Sequence, residues 1–62
     1  FAEAVVRASE AVVRQRLADG SAAGAAELRD LMNTNRKCAI VLLEYFDACG
    51  LTTRIGDERV LN

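Results

Sequence analysis

A chain of 62 residues holds one small domain at most, and such a chain buries roughly 60% of the surface it exposes when unfolded. Apolar residues are 52% of it, yet many are alanine and aromatics are only 5%, so the core must be thin helices packed closely, with little room for an enclosed substrate cavity; this argues against an enzyme. A net charge of −1 and a pI near 5.2 exclude a broadly basic nucleic-acid binder, so a polyanionic partner would need a local patch.

No apolar run approaches the ~20 residues of a membrane span, and no signal peptide is visible. The chain begins without methionine, inside what reads as a helix, and is taken as a single domain, residues 1–62, cut from a larger protein. Cys38 and Cys49 have no histidine and no further cysteine to join them, which argues against zinc. Their apolar helical surroundings predict buried, reduced thiols of a cytosolic protein.

In chain order, Phe1 to about Ala18 is predicted to be a helix. Phe1, Val5, Ala8 and Val12 recur at one helical spacing, with Val6, Val13 and Leu17 broadening the stripe. Glu3–Arg7 and Glu10–Arg14 stand four apart with the acid first, the favourable order. "DGSAAG" breaks this helix at Asp19, Gly20 and Gly24. A short second helix follows, about Ala25 to Met32, with Leu28, Leu31 and Met32 inward and Gly24 with Glu27 as a weak capping box. Asn33-Thr34 is the turn, and either residue can cap a third helix running to about Ala48. Ala39, Leu42, Leu43 and Phe46 are its buried face, and Gly50 is placed to end it. In "LTTRIGDERVLN" the period becomes two: Leu51, Thr53 and Ile55 alternate with Thr52 and Arg54, Gly56-Asp57 is a turn, and Val60-Leu61 returns. Three helices followed by a β-hairpin, mainly α with a small β element, describe a winged helix-turn-helix.

The third helix carries its charge against its dipole. Arg36 and Lys37 occupy its opening turn, Glu44 and Asp47 lie toward its end, and no acid follows either cation at three or four residues. Such a helix start also presents free N–H groups to an external phosphate. The hairpin adds Arg54 and Arg59. A two-residue turn at Gly56-Asp57 would oppose them directly, an unfavourable like-charge pair, whereas a four-residue loop would put Arg59 on the loop; sequence leaves both registers open. Solvated surface charge is the plain alternative, with Asp57 and Glu58 able to neutralise the wing. Other features read as structure: Tyr45 packs against the core, and Glu44 and Asp47 are solvated acids with no histidine or serine to complete a catalytic set. No glycine-rich nucleotide loop is present.

The run "ELRDLMNTNRKCAIVLLEYFDACGLTTRIGDERVL", about Glu27 to Leu61, resembles the last winged-helix domain of bacterial selenocysteine-specific elongation factors. The resemblance rests on Arg29-Asp30-Leu31, Thr34, Arg36-Lys37, Ala39, Leu42 to Asp47, Gly50, Thr52, Arg54, Gly56-Asp57 and Arg59-Val60-Leu61. Asn35 stands where that family has serine, and Cys38 where an aromatic is common. The resemblance implies a cytoplasmic, RNA-binding domain that grips a messenger RNA hairpin downstream of an in-frame UGA codon, so that UGA is read as selenocysteine. Arg36 and Lys37 would contact hairpin phosphates with Thr34 and Asn35 beside them, and Arg54 and Arg59 would extend the grip. No cofactor is implied for this segment. GTP and magnesium, the ribosome and selenocysteyl-tRNA would be engaged by the rest of such a protein, a translational GTPase. The competing readings are a DNA-binding winged helix of a transcription regulator, for which Val41 and Glu44 are poor base readers, and a winged-helix protein-interaction module.

Overall fold

The computed structural model describes residues 2–62; Phe1, placed by sequence on the first helical stripe, lies outside them. Three helices pack with a small sheet, in the order α1 (Glu3–Leu17), β1 (Ala23–Gly24), α2 (Ala25–Leu31), α3 (Arg36–Ala48), β2 (Thr52–Ile55) and β3 (Glu58–Leu61). The sheet is antiparallel in the order β1-β3-β2. This is the winged helix-turn-helix expected from the sequence.

The core gathers Val13 and Leu17 of α1, Ala23 of β1, Leu28 of α2, and Leu42, Leu43 and Phe46 of α3. Fully burying each of the larger of these side chains is worth about 1.5–3 kcal/mol. Ala39, Leu42, Leu43 and Phe46 form the inward face of α3 as their spacing requires. On α1 the inward line is Val6, Ser9, Val13 and Leu17, one residue on from the expected Val5, Ala8 and Val12. One residue is about 100° of helix, and a stripe this wide lets packing choose its centre. Val5 is therefore left 48% exposed.

Further expectations are corrected. Leu31 is exposed and α2 is held through Leu28, with Met32 half-buried, because so short a helix turns one narrow face inward. Gly24 opens α2 without a capping box: the Glu27 carboxylate accepts from Arg16 Nε instead, and Arg16 Nη1 donates to Ser21 Oγ at 2.8 Å, clamping the end of α1 to the start of α2. Tyr45 is 52% exposed, its ring tilted at 58° to that of Phe46 with centroids 5.8 Å apart, because its position on α3 points away from the core. Cys38 is half-buried and Cys49 exposed; both are free thiols, but neither is interior. The strand β1 has no counterpart in the sequence reading. Two residues carry no alternation, and only pairing with β3 (Ala23 with Arg59, Gly24 with Glu58) makes them a strand.

Two helix ends close in the same way. Gly50, at φ +82°, follows α3, with Gly50 N–H donating to Asp47 O at 3.2 Å and Leu51 N–H to Phe46 O at 3.0 Å. After α2, Asn33 takes the left-handed place at φ +55°, with Asn33 N–H on Asp30 O at 3.1 Å and Thr34 N–H on Arg29 O at 3.3 Å. Asn33 thus ends α2, and the cap of α3 falls to Asn35, neither Asn33 nor Thr34: its Oδ1 accepts from Cys38 N–H at 2.9 Å. The wing takes the two-residue turn at Gly56-Asp57, pairing Ile55 with Glu58 and Arg54 with Arg59. Among the described residues, no helix is long and apolar enough to cross a membrane.

Candidate nucleic-acid interface

Lysine and arginine number 8. Arg7, Arg14, Arg16, Arg29 and Arg59 each meet a carboxylate of the same chain at 2.5–3.1 Å. Among the described residues, Arg36, Lys37 and Arg54 meet none. Pairs on the surface such as Arg7–Glu3 and Arg14–Glu10 add little to stability, so their use here is to show which cations are already neutralised; Arg59–Asp47 is the buried one.

Two of the unneutralised cations, Arg36 and Arg54, line one cleft. A cleft of about 470 Å³ opens between the start of α2, the exposed face of α3 and the wing, and Arg36, Arg54 and Arg59 all line it. The cleft is not uniformly basic, for Glu44, Asp57 and Glu58 enter it too. Lys37, exposed beside Arg36 on the first turn of α3, lies outside its lining. That turn holds no acid. Its first intrahelical bond runs from Ala39 N–H to Asn35 O and the Asn35 side chain takes Cys38 N–H, so the amides of Arg36 and Lys37 have no intrahelical acceptor. Cationic side chains and free amides at a helix start are the donor set that holds a phosphate.

The remaining candidates have other surroundings. Thr34 is half-buried in a groove against Val5, Ala8 and Met32. Asn35 is exposed, with its side-chain oxygen engaged as the α3 cap. Arg54 is exposed at the wing and donates from Nε to Gly56 O at 2.8 Å, which extends its guanidinium along the turn. Arg59 is the exception among the four cations. It is 6% exposed, its Nη2 donates to Asp47 Oδ2 at 3.1 Å, and its buried Nε has no partner.

Sequence reasoning missed Asp47. It is half-buried and bonded, not a solvated acid: Oδ2 takes Arg59 and Oδ1 accepts from Thr52 Oγ1 at 2.6 Å. A signal was present, since an acid in the last turn of a helix opposes the dipole and calls for a cation to compensate it. That cation, Arg59, stands 12 residues away and becomes a neighbour only when the wing folds back.

Comparison with known proteins gives two findings. A family model described as "Elongation factor SelB, winged helix" matches residues 15–61. The selenocysteine-specific elongation factor of Escherichia coli (strain K12) is 49% identical over 37 residues, which is 60% of this chain and 6% of that relative. The chain therefore spans a small part of the length of the curated relative it matches.

Proposed function

The chain belongs to the winged-helix family of elongation factor SelB, and on that premise we propose that it binds the selenocysteine-insertion hairpin of messenger RNA through the tip of α3 and the wing. The domain would tether the factor close to an in-frame UGA codon. GTP, selenocysteyl-tRNA and ribosome binding would belong to other parts of the whole factor.

One observation carries the reading. Among the described residues, the three cations without a carboxylate partner are Arg36, Lys37 and Arg54, all on the two elements that a winged helix offers to nucleic acid. An A-form duplex hides its bases in a deep, narrow major groove, so a helix side cannot be laid along them, while a helix tip can meet the backbone. Arg36, Lys37 and their amides supply such a tip, and Arg54 supplies a second point of attachment. Glu44, exposed in the middle of α3, disfavours lying in the groove of a DNA duplex, where phosphates would flank it. Arg59 acts through the fold, since its charge is already met by Asp47.

The test is binding of the 62-residue chain to RNA hairpins taken from UGA-containing messages, and to DNA duplexes, over a salt series. The expected result is hairpin binding that weakens with salt. Changing Arg36→Ala and Lys37→Ala together should reduce the salt slope by about two, one per phosphate contact, and leave the circular dichroism spectrum unchanged. Equal affinity for DNA duplex would instead overturn the RNA reading and favour a DNA-binding role. No hairpin binding at low salt would make it a protein-interaction module.

A further inference from the structure

The register of the wing creates a problem that Asp47 resolves. Arg54 and Arg59 are directly opposed across β2 and β3, so two guanidinium groups leave the same face of the ladder side by side. Asp47, in the last turn of α3, takes one of them inward. Its Oδ2 accepts from Arg59 Nη2 at 3.1 Å while its Oδ1 accepts from Thr52 Oγ1 at 2.6 Å. Thr52 opens β2 and Arg59 lies on β3, so a single carboxylate holds both strands of the wing against the helix. Thr52 is 2% exposed and Arg59 6% exposed, so both donors are buried, while the Asp47 side chain they share is 24% exposed. Arg54 is left as the outward cation, in the same cleft as Arg36.

We infer that Asp47 is the positioning residue of the interface: by neutralising Arg59 and tying β2 and β3 to α3, it sets Arg54 at a fixed separation from Arg36 so that both act on one RNA. Asp47 itself touches no ligand. The inference rests on the proposed RNA reading and adds to it a cause for the wing's geometry.

The experiment measures how much Arg54→Ala weakens binding of the RNA hairpin in two backgrounds, the wild-type chain and Asp47→Asn. In the wild-type chain the expected loss is about tenfold, the size of one charge-assisted contact. In Asp47→Asn the same change should cost less than about twofold, because the wing no longer presents Arg54 in register. Arg36→Ala should keep its full effect in both backgrounds. A purely structural role for Asp47 would lower every affinity by a common factor and leave the Arg54 ratio untouched, so the ratio separates the two. If Asp47→Asn loses its helical circular dichroism, Thr52→Val carries the test: it removes one of the two bonds at nearly constant volume, and the Arg54 ratio should fall to about threefold. An unchanged ratio in the folded variant overturns the inference alone, as does a ratio near one in the wild-type chain. Absence of hairpin binding by the wild-type chain overturns the RNA reading and this inference with it.

Discussion

Helix α1 carries Glu3 in its first turn and Arg14 and Arg16 in its last, whereas α3 has no acid in its first turn and no base in its last. The pairing differs in the same sense. On α1, Arg7 meets Glu3 at 2.6 Å and Arg14 meets Glu10 at 2.9 Å, both at the i,i+4 spacing. On α3, Arg36 and Lys37 meet no acid among the described residues, and the one paired charge, Asp47, reaches across to the wing. Both helices bury one face in the same core, so packing does not account for the difference. A helix whose charges serve its own stability matches them to its dipole and to each other. On α3 the matching is reversed: Asp47 near its end is compensated by Arg59 of the wing, while Arg36 and Lys37 at its start meet no carboxylate among the described residues.

The sharpest way to break this comparison is to give α3 the charge pattern of α1. Replacing Arg36→Glu and Lys37→Glu puts acids at the positive end of the dipole and should raise stability by about 0.3–1 kcal/mol per site. The same pair should weaken RNA hairpin binding by about 100-fold or more, two charge-assisted contacts being lost at about 1.5 kcal/mol each. Thermal melts and fluorescence anisotropy read the two effects, and their opposite signs are the expectation. Loss of both stability and binding would mean that the cations support the fold.

A smaller effect should come from the cap that prepares the α3 tip. Asn35→Ala removes the acceptor for Cys38 N–H and should cost about 1 kcal/mol, seen as a melting temperature lower by about 4–8 °C. Asn35→Ser, which can also cap, should restore most of it. The smallest effect belongs to α1. Arg7→Ala with Arg14→Ala should cost a few tenths of a kcal/mol per pair and change hairpin affinity by less than about twofold. A larger loss of affinity would place α1 in the interface and remove the contrast with α3.

How much was legible from sequence differs by element for physical reasons. The inward face of α3 has four apolar side chains at strict helical spacing, Ala39, Leu42, Leu43 and Phe46, and was read correctly. The i,i+4 pairs of α1 were legible too, being set by helix geometry alone. The rotation of α1 was not, because Val5, Val6, Val12 and Val13 offer two neighbouring apolar lines and the facing helices select between them. Asn33, Thr34 and Asn35 are all competent caps. Only the path of the chain shows that Asn33 turns left-handed to end α2, leaving Asn35 to begin α3. Of the candidate site, Arg36 and Lys37 were legible as charges lacking a local acid, whereas Arg54 has Asp57 and Glu58 close in sequence and only the structure shows it meeting neither. Arg59 looked equivalent to Arg54 in sequence, and the structure separates them, one inward on Asp47 and one outward.

Sequence by itself determined the three helices, the glycine turn of the wing, the family resemblance from Glu27 to Leu61 and the reversed charge order of α3. All of these depend on residues within a few positions of one another, where helical spacing, capping and the dipole act. Tertiary structure alone decided the wing register, the strand β1, and the joining of Asp47 to Thr52 and Arg59. Those depend on segments brought together by burial of the shared core, which local sequence does not encode.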